Sequence, residues 1–124
     1  MAEVGVVADD LTGASDTGVQ FAKKGLRTVL STRFDEAPES FGRAEVIVLD
    51  TESRGDHPKT AYRKVRTATK TLKRVGVRLF YKKIDSTLRG NIGAELDAML
   101  DELGNELVVV APAFPKTGRI TVGG

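Results

Sequence analysis

Apolar residues along the chain follow two rhythms. Short, valine-rich runs at 3–8, 28–31, 46–50, 77–81 and 106–111 are too brief for helices and predict five strands. The run at 3–8 lacks polar alternation, which suits a strand buried on both faces. Between these runs, apolar positions recur at three- and four-residue steps. Val19, Phe21 and Ala22 mark a helix over 14–24, and Ala61, Val65, Ala68, Leu72 and Val75 mark a second helix. Ile92, Leu96, Met99, Leu100 and Leu103 mark a third, and Gly25, Gly76 and Gly104 stand where the three would stop. Asp56 is the expected cap of the second helix, with Pro58 in its first turn. The segment 32–43, with Pro38 and several charges, reads as a surface connection. Strand and helix alternate, which predicts an α/β fold of three layers: a mostly parallel sheet flanked by helices and joined by right-handed crossovers.

Polar residues cluster at the ends of four of the five strands. Asp9-Asp10-Leu11-Thr12-Gly13 follows the first, Asp50 to Arg54 the third, Lys82 to Asn91 the fourth, and Pro112 to Arg119 the fifth. In a parallel sheet those ends share one rim, where open α/β folds bind ligands. The whole functional reading requires these loops to meet there.

The residue types then suggest roles. Asp9 and Asp10 can accept hydrogen bonds from a polyol, take a proton from an attacking hydroxyl, or help hold magnesium through water. One aspartate is enough to cap the following helix, which leaves the other for a ligand. Thr12 adds a hydroxyl at the same turn. Gly13 and Gly18 have the spacing of a P-loop, but Val19-Gln20 replaces the required Lys-Ser/Thr pair, so a Walker A site is excluded. Arg54 has the planar fork that matches a carboxylate, or it forms a surface ion pair with Glu52 or Asp56. In Lys82-Lys83-Ile84-Asp85-Ser86-Thr87-Leu88-Arg89-Gly90-Asn91, alternation along a strand directs at least one of Lys82 and Lys83 into the crevice. Asp85 can bond a hydroxyl, Ser86 can receive an anion, and Arg89 can neutralise one or brace the loop through Asp85. Thr87, Gly90 and Asn91 are read as turn and cap residues, Phe114 as a packing residue, Arg119 as a further anion contact, and His57 as incidental.

Composition narrows the class. The chain has 124 residues, 40% hydrophobic and 29% charged, which is enough for one compact domain and too little for two. It contains no cysteine, so disulfides and thiolate metal sites are excluded, and a cytoplasmic location is the default expectation. No apolar run approaches a membrane span. The net charge of +2 is uneven: seven of the 19 cations lie between Lys59 and Val75 with no acid among them, leaving 12 basic against 17 acidic residues elsewhere. With only Tyr62 available there for stacking, this basic helix is read as a solvated outer face rather than a nucleic-acid surface.

The four rim motifs, in this order, resemble the amino-terminal domain of the four-carbon acid sugar kinases, which phosphorylate threonate, erythronate and 3-oxo-tetronates. The likeness runs through essentially the whole chain, 1–124, and implies a partial sugar-acid-binding domain. It also implies an ATP- and magnesium-dependent enzyme whose nucleotide is held mainly by a second, carboxy-terminal domain, so this chain alone is expected to be inactive. By that resemblance Asp9, Asp10 and Asp85 are the catalytic candidates, and Thr12, Arg54, Lys82, Lys83, Ser86 and Arg89 hold the substrate. The expected partner is a small sugar acid, with no nucleic acid and no membrane. Two other readings stay open: an organic-anion binding module without catalysis, and a truncated piece that self-associates through an exposed sheet edge.

Overall fold

The computed structural model describes residues 2–104 and 107–123. Four strands, β1 (Val4–Ala8), β2 (Thr28–Ser31), β3 (Val46–Asp50) and β4 (Leu79–Lys83), form one sheet in the order β2-β3-β1-β4. Every pairing is parallel. Three helices cover it: α1 (Leu11–Lys23), α2 (Pro58–Val75) and α3 (Ile92–Leu103). The step from β1 to β2 and the step from β3 to β4 run in opposite directions across the sheet, so right-handed crossovers place α1 and α2 on opposite faces.

Strand alternation sorts the core into two clusters. Val6, Ala8, Val46 and Val48 face α1 with Ala14 and Phe21, while Val7, Ile47 and Leu49 face α2 and α3 with Val65, Ala68, Leu72, Ala98 and Met99. The three-layer α/β architecture expected from the alternating pattern is thus the observed one. Gly5 of β1 lies where α2 presses against the sheet; a Cβ there would sit 2.8 Å from a Leu72 methyl group.

Several local expectations need correction. The first helix begins at Leu11 rather than 14, because the Asp10 carboxylate caps it by accepting from the Gly13 amide. His57, not Asp56, caps α2: its Nδ1 accepts from the Lys59 amide at 3.3 Å, and Asp56 instead pairs with Lys64 at 2.7 Å. The fourth strand starts two residues later than expected, because the Val77 amide still bonds the Leu72 carbonyl in the turn that ends α2 at the left-handed Gly76. It also runs two residues further, since Lys82 and Lys83 pair with Val7 and Ala8.

Among the described residues the fifth strand does not form. Its first residue, Glu106, lies outside the described residues, and 107–111 carry no ladder even though they run beside β4. Leu107 to Val110 are exposed, and so is the outer strand they pass, with Leu79 62% and Tyr81 43% accessible.

Candidate functional site

The sheet register sets the rim level. Ala8 pairs with both Asp50 and Lys83, so the loops after β1, β3 and β4 leave the sheet side by side. Backbone bonds extend this alignment: the Thr51 amide donates to the Ala8 carbonyl at 2.9 Å and the Ser53 amide to the Asp9 carbonyl at 3.0 Å. Asn91 then ties the third loop to the second, its Nδ2 donating to the carbonyls of Ser53 at 3.0 Å and Asp56 at 2.8 Å. Two non-glycine residues in these loops, Glu52 and Leu88, adopt positive φ of 44° and 61°. Such conformations cost about 1–3 kcal/mol each and persist only where the surroundings impose them.

Above the rim lies a cavity of about 1080 Å³. Its floor includes Asp10, Thr12 and Gly13 from the first loop and Arg54 from the second. Lys83, Asp85, Ser86 and Arg89 come from the third, and Pro112, Phe114, Lys116 and Arg119 form the far wall. The strand-end motifs therefore converge, and seven of the nine candidate site residues face one space. Two do not. Asp9 is buried under the rim, with both carboxylate oxygens taken by Arg54, whose Nε donates to Oδ2 at 2.9 Å and Nη2 to Oδ1 at 3.0 Å. Lys82 turns away from the cavity into the core and pairs with Glu95 of α3 at 2.8 Å, the two side chains being 4% and 2% exposed.

Charges on the rim are mostly matched internally. Arg54 also reaches Asp10, Nη2 to Oδ1 at 3.1 Å, so its ion pairs are with both aspartates of the first loop and not with Glu52 or Asp56, the alternative to a substrate carboxylate. Hydrogen bonding to Asp9 raises the Arg54 pKa. Arg89 donates from Nε to Asp85 Oδ2 at 2.7 Å and from Nη2 to Oδ1 at 3.3 Å, and Thr87 donates to the same Oδ2 at 2.5 Å. These bonds hold the Asp85 carboxyl well below the usual carboxylate range. Asp10 differs: its Oδ1 serves the Gly13 amide and Arg54, while its Oδ2 takes no hydrogen bond among the described residues. Behind the first loop, Asp50 is fully buried with Oδ1 accepting from the Glu52 amide and Oδ2 unpartnered, and burial pushes its carboxyl up.

Glu95 escaped the sequence reading. Its Oε1 accepts from Ser53 Oγ at 2.5 Å, and Ser53 in turn meets Thr51 Oγ1 at 2.7 Å, so Lys82, Glu95, Ser53 and Thr51 form one buried polar chain beneath the rim. The available signal was positional: Glu95 lies three and four residues before Ala98 and Met99, on the buried stripe of α3.

A model of the sugar-binding N-terminal domain matches residues 4–124. The chain belongs to that family. This sugar-binding domain is 50% identical over 126 residues to D-erythronate kinase of Heliobacterium modesticaldum, covering 100% of this chain and 29% of that protein. It is 45% identical over 120 residues to D-threonate kinase of Salmonella typhimurium, covering 96% of this chain and 28% of the other. Among solved structures it superposes on a domain of unknown function from Bordetella bronchiseptica, a domain-swapped dimer with bound citrate, with a TM-score of 0.83 and 42% identity over 93% of this chain and 30% of that one. The chain thus spans about three tenths of the length of the relatives it matches.

Proposed function

We propose that this sugar-binding domain holds the phosphoryl acceptor of an ATP-dependent four-carbon sugar-acid kinase. The observation that carries the proposal is the difference between its three candidate aspartates. Asp9 is consumed by Arg54, and Asp85 is clamped by Arg89 and kept strongly acidic, which makes it a poor proton acceptor and a good fixed hydrogen-bond acceptor. Of these three, Asp10 alone lines the cavity with an uncommitted carboxylate oxygen. In this reading Asp10 Oδ2 receives the hydroxyl proton as the acceptor oxygen forms its bond to the γ-phosphorus and ADP departs. Thr12, Asp85 and Ser86 orient the remaining hydroxyls. Lys83, whose Nζ donates to the Ile84 carbonyl at 2.5 Å, supplies positive charge beside the turn that opens α1. Arg54 and Arg89 act chiefly by fixing the aspartates.

Two of the rim carboxylates do not suit magnesium, because the oxygens of Asp9 and Asp85 are already bonded to guanidinium groups. No cluster of three His, Cys, Asp or Glu among the described residues could hold a metal. ATP and magnesium in the proposed reaction are assigned to the remainder of a kinase of the relatives' length. The test is calorimetry of this chain with D-erythronate and D-threonate. Saturable binding of either supports the proposal, and a folded chain that binds no four-carbon acid refutes it.

A second reading, self-association, has its own support. Among the described residues the outer edge of β4 is unpaired, and exposed Leu79 and Tyr81 lie beside exposed Leu107 to Val110. Such an edge invites pairing with another chain.

A further inference from the structure

Three arginines face the cavity, and only two are neutralised. Arg54 is spent on Asp9 and Asp10, and Arg89 on Asp85. Arg119 donates from Nη1 to Ser86 Oγ at 2.6 Å, and no carboxylate among the described residues lies within ion-pair distance of it. A hydroxyl can orient a guanidinium but contributes no charge to balance it. Arg119 therefore points a fork of donors into the cavity with its full positive charge available, in the form that suits a carboxylate bidentately.

Its mounting is equally specific. The Phe114 amide donates to the Arg119 carbonyl at 2.8 Å and the Arg119 amide to the Phe114 carbonyl at 3.3 Å, closing a small hairpin around the 3-10 turn Pro115–Thr117. Thr117 Oγ1 donates to the Phe114 carbonyl at 2.9 Å, and Gly118, at φ +77°, makes the reversal. The hairpin is internally braced. Its one side-chain hydrogen bond to the rim loops, among the described residues, is Arg119 to Ser86.

We propose that Arg119 is the anchor for the carboxylate of the acceptor, held toward the cavity by its hydrogen bond to Ser86. The inference rests on the sugar-acid reading of the cavity and adds the residue that distinguishes an acid from a neutral polyol. It moves that role away from Arg54 and Arg89, whose charge the rim aspartates already balance. Lys116 sits on the same hairpin and lines the same cavity, so it separates mere positive charge from the forked contact.

The experiment compares D-erythronate with uncharged erythritol by calorimetry on wild type, Arg119→Ala, Arg119→Lys and Lys116→Ala, with circular dichroism to confirm folding. Wild type is expected to favour the acid. Arg119→Ala should weaken D-erythronate binding about tenfold or more, the scale of a lost charge-assisted bidentate contact, and leave erythritol unchanged. Arg119→Lys should recover part of the loss, and Lys116→Ala should weaken acid binding clearly less than Arg119→Ala does; an equal loss in both overturns the forked contact. Acid binding by Arg119→Ala within about twofold of wild type overturns the anchor and leaves the sugar-acid reading intact. A folded wild type that binds no four-carbon acid removes that reading and the anchor with it.

Discussion

Replacing Lys82 by methionine leaves the Glu95 carboxyl inside the domain with the Ser53 hydroxyl as its one remaining side-chain partner among the described residues. Both side chains are almost fully enclosed, at 4% and 2% exposure, and their contact is 2.8 Å. Removing one member of such a pair typically costs about 3–5 kcal/mol, because the survivor keeps its desolvation penalty without its partner. Ser53 already donates to Oε1 at 2.5 Å, and a hydrogen bond to a charged group is worth about 1.5–3 kcal/mol, so the loss should fall near the low end, about 3 kcal/mol. Glu95→Leu should cost a similar amount by stranding the ammonium, which then keeps only the Lys83 carbonyl at 3.0 Å. The double variant, with two apolar side chains of comparable volume, should recover most of the loss, since a buried pair is often replaceable by apolar packing. Urea unfolding followed by circular dichroism gives the three values, and the non-additivity gives the coupling. Single variants that each cost under about 1 kcal/mol, or a double variant no better than their sum, would refute the claim that this pair is a buried, mutually compensating unit.

Other outcomes follow from the rim geometry. In a chimera carrying this domain in place of its counterpart in the Heliobacterium modesticaldum kinase, Asp10→Asn should lower kcat about 100-fold or more with little change in acid affinity; near-normal turnover would remove Asp10 as base. Gly90→Ala should destabilise by at least about 1 kcal/mol, since φ is +98° and a Cβ would lie 2.9 Å from Asp9 Oδ2; an unchanged thermal midpoint would contradict this. Asp85 is held below its ordinary pKa, so its contribution is complete above the unfolded carboxylate value near ~4 and is lost as pH falls through and below it. Asp85→Asn should therefore flatten the fall of unfolding free energy below about pH 5, and an identical slope in the variant would refute the assignment. Leu79→Lys, at the bare outer edge, should suppress concentration-dependent self-association in light scattering if that edge is the contact.

What the sequence made legible is the convergence of the loops; what it hid is the direction of individual side chains. Runs such as 46–50 carry enough apolar pattern to place strands, and polar clusters after them fall on one rim because a parallel sheet aligns all carboxyl ends. Within a doublet, however, adjacent side chains diverge, and which one faces the ligand depends on where pairing stops. Lys82 and Lys83 both lie inside β4, so alternation sends Lys82 to Glu95 and Lys83 to the cavity. Asp9 and Asp10 divide in the same way, one buried under Arg54 and the other capping α1 at the cavity floor. The run at 107–111 fails for a related reason: valines express a preference for extended backbone, but a strand exists only when a neighbour's donors and acceptors meet its own. Charge was the least readable property. Three arginines near the cavity look equivalent in sequence, and only the positions of Asp9, Asp10 and Asp85 show that two are already balanced while Arg119 retains a charge for a ligand.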